Sequence, residues 1–155
     1  MDVESKLNDT VYDAEFLPPA YRASPPVRKD RKKGGGGVLI ATREGITAEH
    51  LTECDTNCEI AWVKIQLHHN NYLIVGVYYR PPNATAESLQ ELSVSISKIK
   101  SNYPKAKIFL GGDFNLPGIN WETYSHTPYA ANKAECDILL QISNDFFFEQ
   151  LNHRA

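Results

Sequence analysis

Residues 107–115, Lys-Ile-Phe-Leu-Gly-Gly-Asp-Phe-Asn, place a carboxylate and an amide two positions apart, directly after an apolar run and two glycines. The run has the length and composition of a buried strand, and the glycines are expected to end it. In extended backbone, residues i and i+2 point the same way. Asp113 and Asn115 would then share one side of the strand's C-terminal end. One charged acceptor beside one neutral amide suits the gripping and deprotonation of a water next to a phosphate. The same residues are rich in turn formers, so an ordinary turn is the competing reading. A second segment, Tyr78-Tyr79-Arg80-Pro81-Pro82-Asn83, also follows an apolar run. Sites in layered α/β domains gather at strand ends, where loops meet a rigid scaffold, and a tyrosine hydroxyl and an arginine there suit phosphate contact.

The elements that must position these residues follow from periodicity. Residues 1–33 read as irregular, with Pro18-Pro19, Pro25-Pro26 and the basic run Arg28-Lys29-Asp30-Arg31-Lys32-Lys33. Four glycines, 34–37, lead into a short buried strand over 38–41. A second strand spans 59–67, with Ala61, Val63, Ile65 and Leu67 on one face and Ile60, Trp62, Lys64 and Gln66 on the other. Asn70-Asn71 makes a turn into a near-continuously apolar strand over 72–79. Short connections predict that these three strands are antiparallel neighbours. Arg80-Pro81-Pro82-Asn83 stops the third, since proline donates nothing to a ladder. A helix follows from about Thr85, with Leu89, Leu92, Ile96, Ile99 and Tyr103 in one apolar stripe and Glu87 in its first turn. After the strand over 106–110, residues from Asn115 through Trp121 read as loop. A last helix runs over 133–148, with Cys136, Leu139, Leu140, Ser143 and Phe147 on one side. Strands interspersed with two helices predict a layered α/β domain.

Bulk properties narrow the function classes. A chain of 155 residues suits one domain with a real core. Its net charge of −3 excludes a uniformly basic nucleic-acid binder, so any DNA affinity must come from a local patch. The basic run at 28–33 reads either as a solvated loop or as a phosphate-backbone contact. The glycines after it make no Walker loop, because no Gly-Lys-Ser/Thr follows. No apolar run is long enough to span a membrane, and the acidic start of the chain does not resemble a signal peptide. Three cysteines, Cys54, Cys58 and Cys136, fit reduced thiols in an intracellular, nuclear or cytoplasmic, protein that is not secreted. The spacing of Cys54 and Cys58 would suit zinc, but no second Cys/His pair stands at ligand spacing nearby.

Four segments together carry a family resemblance: residues 34–41, 62–65, 77–83 and 110–121 (Leu-Gly-Gly-Asp-Phe-Asn-Leu-Pro-Gly-Ile-Asn-Trp). In order and spacing, the chain resembles the endonuclease–exonuclease–phosphatase superfamily, and within it the endonuclease domain of non-LTR (LINE-like) retrotransposons. The resemblance implies an α/β (α+β) fold, a partial four-layer sandwich of two mostly antiparallel sheets flanked by helices, as a single domain over 1–155. It implies Mg2+-assisted phosphodiester hydrolysis with DNA as partner and no small-molecule cofactor. Asp113 would match the carboxylate that orients and deprotonates the attacking water, and Asn115 the amide that holds the water or the scissile phosphate. Tyr79 would match the tyrosine that hydrogen-bonds the phosphate, whereas Tyr78 faces the other way and suits the core. Glu4, in Glu4-Ser5-Lys6-Leu7-Asn8, would match the metal-binding glutamate; a solvated terminal glutamate is the alternative. Arg80, Asn83 and the basic residues Arg28, Lys29, Arg31, Lys32 and Lys33 are the expected nucleic-acid contacts.

The departures matter as much. The family's first strand, ending in a catalytic Asn, has no counterpart before Glu4. Its closing Asp-bearing strand and Ser-Asp-His have none after the second helix. His50, His68, His69, His126 and His153 match no catalytic position. The chain is therefore expected to be a fragment of the domain, with weak or no activity, since members of such a set act as a unit. Two other readings stay open: an inactive remnant that binds nucleic acid or protein or does nothing, and a phosphatase of the same fold acting on another phosphoester.

Overall fold

The computed structural model describes residues 27–30, 37–67, 69 and 71–151, with only the main chain of Arg28 and Asp30. Glu4, Arg31, Lys32, Lys33 and the Arg28 side chain lie outside the described residues.

The centre is a four-stranded sheet in the order β3-β4-β5-β6. Its strands are β3 (Ala48–His50), β4 (Glu59–Gln66), β5 (Tyr72–Tyr79) and β6 (Lys107–Asp113). β4 and β5 pair antiparallel, from Glu59 opposite Tyr79 to Gln66 opposite Tyr72. Between β5 and β6 runs helix α1 (Ala86–Asn102). A helix between two strands returns the chain to the same end of the sheet, and β6 pairs parallel to β5. Helix α2 (Lys133–Asp145) packs on α1. Both helices bury their stripes on one face of the sheet, where Leu89, Leu92, Ile96, Ile99, Cys136, Leu139 and Ile142 meet Ile60, Trp62, Ile74 and Tyr78.

The opposite face is covered by a two-stranded ribbon of β1 (Val27–Asp30) and β2 (Gly37–Ile40). Val27 and Val38 there pack on Ala61, Val63, Val77 and Tyr79. The described residues thus form three layers, ribbon, sheet and helices, of a mixed α/β fold with mostly antiparallel strands. A small hairpin of β7 (Ile119–Asn120) and β8 (Ser125–His126) follows β6.

Several expectations are corrected. Residues 27–30 are a strand rather than irregular chain. The strand at 37–40 is not a neighbour of β4 in the same sheet; it packs face to face over it, and Ala48–His50 takes the edge position instead. Both faces of β4 are buried from Ile60 to Val63 because layers lie on both sides, while Leu67 falls past the strand and is exposed. Phe147 lies beyond the end of α2 with φ +56 and is exposed, so it is not on the helix's buried side. The segment after Asn115 contains the β7–β8 hairpin where loop was expected.

Candidate active site

The glycines do not end the strand; they let it come close. β6 continues through Gly111 and Gly112 to Asp113, with Gly112 beside Tyr78 and Asp113 beside Tyr79 in the parallel register. A Cβ at Gly112 would lie 1.9 Å from the Tyr78 carbonyl oxygen, and φ there is +153. Only glycine fits at that approach. Because the two strands are parallel, Tyr79 and Asp113 finish at the same end of the sheet.

Beyond β6 the geometry is local. The Asn115 N–H donates to Asp113 Oδ1 at 2.9 Å, an Asx turn, and Asn115 has φ +48. Asparagine tolerates that left-handed conformation better than most residues. Its Nδ2 donates to the Arg80 carbonyl at 2.7 Å. The acceptor is a carbonyl, so the amide nitrogen must face it and Asn115 Oδ1 faces away. The Arg80 N–H in turn donates to the Asp113 carbonyl at 2.9 Å. Asp113 and Asn115 are therefore brought together by a turn rather than by i, i+2 alternation in extended chain. The turn and the paired polar groups, competing readings of the sequence, coexist. Asp113 is exposed and Asn115 half-buried.

The two tyrosines divide as alternation requires. Tyr78 faces the helices, fully buried, with its hydroxyl 2.7 Å from Ser88 Oγ and its ring 5.3 Å from that of Phe114. Burial pushes its phenol up to about 12, so it stays protonated at neutral pH. Tyr79 faces the ribbon and is 6% exposed.

The expected nucleic-acid contacts fare differently. Lys29 donates its ammonium to the carbonyls of Thr56 at 2.5 Å and Cys58 at 2.7 Å, so its charge ties β1 to the loop before β4 rather than facing solvent. The Arg80 side chain is 1% exposed. It points to the helix layer, where Nη2 donates to the Ala84 carbonyl and lies 3.9 Å from Glu135 Oε1. Both side chains thus make their contacts within the chain. Asn83 is exposed in the turn between β5 and α1, where the Ala84 N–H donates to the Pro81 carbonyl. Glu135 was not singled out from sequence; it stands in the first turn of α2, and no spacing signal connects it to Arg80.

Among the described residues no group of three or more His, Cys, Asp or Glu side chains comes together to hold a metal. Cys54, Cys58 and Cys136 are buried free thiols, each pushed up first by burial. The exposed Asp113 carboxylate and the outward Asn115 Oδ1 are hard oxygen donors of the kind Mg2+ takes, and Mg2+ commonly keeps several waters beside one or two carboxylates. These two oxygens agree with such a cation in type and do not by themselves make a metal site.

Parallel strand ends carrying a carboxylate and an amide, between a helix layer and a ribbon, define a layered α/β domain with a strand-end site. The chain belongs to the endonuclease–reverse transcriptase family, whose model matches residues 72–155, just over half of its length. Among solved structures it is similar to the endonuclease domain of TRAS1, a telomere-specific non-LTR retrotransposon. The TM-score is 0.57 at 20% identity, over 77% of this chain and 50% of that one. That likeness shows the fold, and the chain spans about half the length of this relative. No curated protein matches the chain.

Proposed function

We propose that the chain carries part of a divalent-metal-dependent phosphodiester hydrolase site that nicks DNA. The observation that carries this reading is the meeting of Tyr79, Asp113 and Asn115 at the parallel ends of β5 and β6, in a chain of the endonuclease–reverse transcriptase family. Asp113, exposed and with one oxygen fixed by the Asn115 N–H, is the base that takes a proton from the attacking water. Asn115 Oδ1 orients that water or a phosphate-bound group, and Tyr79 is the phosphate-side hydrogen-bond donor. Asn83 contacts the nucleic-acid backbone from the adjacent turn. Glu4, with other oxygen ligands, would hold Mg2+, which when bound would supply positive charge to the phosphoryl oxygen and the leaving alkoxide.

The test is relaxation of supercoiled plasmid by the purified chain with Mg2+ or with EDTA. Nicking is expected with Mg2+ only, and Asp113→Ala should lower it by roughly 10²–10⁴, the usual worth of a positioned base. Wild-type nicking no greater than that of Asp113→Ala would overturn the reading. Faster turnover of inositol phosphates than of plasmid would move the substrate to small phosphoesters on the same fold.

A further inference from the structure

Arg80 stands at the junction of four elements, and its N–H, its carbonyl and one guanidinium nitrogen are engaged there. Its N–H holds the Asp113 carbonyl at 2.9 Å, and its carbonyl holds Asn115 Nδ2 at 2.7 Å. Its side chain, 1% exposed, crosses to the helix layer, donates from Nη2 to the Ala84 carbonyl just before α1, and lies 3.9 Å from Glu135 Oε1 in α2. Nε and Nη1 are buried without a partner among the described residues. A buried cation held this way is costlier than an apolar side chain of equal volume, so the guanidinium adds little to stability. What it supplies is fixed geometry. With the head held at the Ala84 carbonyl and beside Glu135, the side chain adds a second restraint to a main chain already held at the Asp113 carbonyl, on the residue whose carbonyl accepts from the Asn115 amide. Asn115 has few other restraints. It is in the left-handed region, and among the described residues it bonds to Asp113 Oδ1 and to the Arg80 carbonyl.

We propose that Arg80, braced by Glu135, is a positioning residue that sets the Asn115 amide through its own main chain and makes no phosphate contact. The proposal rests on the nicking reading only for its kinetic consequence. The geometric core is tested without it.

The experiment compares the full chain with its Arg80→Met, Arg80→Lys and Glu135→Gln variants. The first readout is the Asn115 side-chain amide resonance in 15N-labelled protein without DNA. It is expected to move in Arg80→Met and in Glu135→Gln, and to return toward the wild-type position in Arg80→Lys. The second readout is plasmid nicking. In Arg80→Met, kcat should fall roughly tenfold to a hundredfold with KM unchanged, the cost of a small misplacement. The third is duplex DNA affinity against salt, whose log–log slope should be unchanged. A slope smaller by about one would show a lost phosphate contact and overturn the proposal. An unmoved Asn115 amide would overturn it as well. Should Arg80→Met not fold, the isosteric Glu135→Gln variant decides on the same amide. A wild-type chain that does not nick would sink the functional reading alone, because the amide response is read independently of turnover.

Discussion

Gly112 and Asn115 show how much a site depends on single backbone positions. At Gly112 a methyl group would overlap the Tyr78 carbonyl at 1.9 Å, and that oxygen belongs to the neighbouring strand, which cannot yield without opening the β5–β6 ladder. Gly112→Ala is therefore expected to destabilise the chain by more than about 3 kcal/mol, in the range of the larger overpacking and backbone-strain effects. Gly45 is the control: its φ is +90 but nothing lies within 4 Å of an added Cβ. Gly45→Ala should cost only the left-handed strain of about 1–2 kcal/mol. Urea unfolding of both variants measures the contrast, and equal losses would show that the close approach at Gly112 is relaxed cheaply. At this scale the sequence was legible where the chemistry is local. Asp113 and Asn115 were recognisable because one turn contains both. The burial of Arg80 was not, because it is set by Glu135 on α2 and by the Ala84 carbonyl just before α1, and nothing in Arg-Pro-Pro-Asn distinguishes a solvent-facing arginine from one that turns inward.

Strands and helices were legible in proportion to their periodicity. β5 and α1 were readable because an apolar run and a three-and-four stripe each fit one element type. β1 was hidden in a basic run, Arg-Lys-Asp, whose strand character comes only from pairing with β2 and from Lys29 reaching the carbonyls of Thr56 and Cys58. The two-stranded β7–β8 hairpin is too short to show alternation. What ties the elements together is also non-local. Trp62 on β4 lies over Gly76 on β5, where an added Cβ would meet its ring at 2.2 Å. Trp62 Nε1 donates to Ser95 Oγ at 2.7 Å, and that hydroxyl donates to the Cys54 carbonyl at 2.6 Å. One buried hydroxyl thus joins the sheet, α1 and the short 3-10 turn Thr52–Cys54. Ser95→Ala would leave a buried indole N–H and a buried carbonyl unpaired, each at about 1–3 kcal/mol. A loss of about 2–4 kcal/mol is expected in urea unfolding, well above the usual effect of an exposed helix substitution such as Ser97→Ala. A loss under about 1 kcal/mol would mean that water replaces the hydroxyl.

Across the whole molecule, the buried acids act with one sign. The thiols of Cys54, Cys58 and Cys136 are pushed up from 9.0, and the Tyr78 phenol from 10.0 to about 12, all first by burial. Each group binds its proton more tightly folded than unfolded. Its contribution is therefore complete below the unfolded pKa and is lost as pH rises through the folded one. For Tyr78 the window runs from about pH 10 to about pH 12, and a two-unit difference is worth about 3 kcal/mol. The cysteines begin to act lower, above about pH 9. Stability should thus be flat near neutrality and fall steeply on the alkaline side. Tyr78→Phe separates the tyrosine's share from the thiols'. Near neutrality the variant should be less stable by about 1 kcal/mol, because it loses the hydrogen bond with Ser88. Above about pH 10 its decline should be shallower than the wild type's, so the two stability curves cross before pH 12. Denaturant midpoints from pH 7 to pH 12 read both effects. Parallel curves would show that the Tyr78 hydroxyl is hydrated in the folded chain, and with it the joint between β5 and α1 on which the Tyr79 strand end is hung.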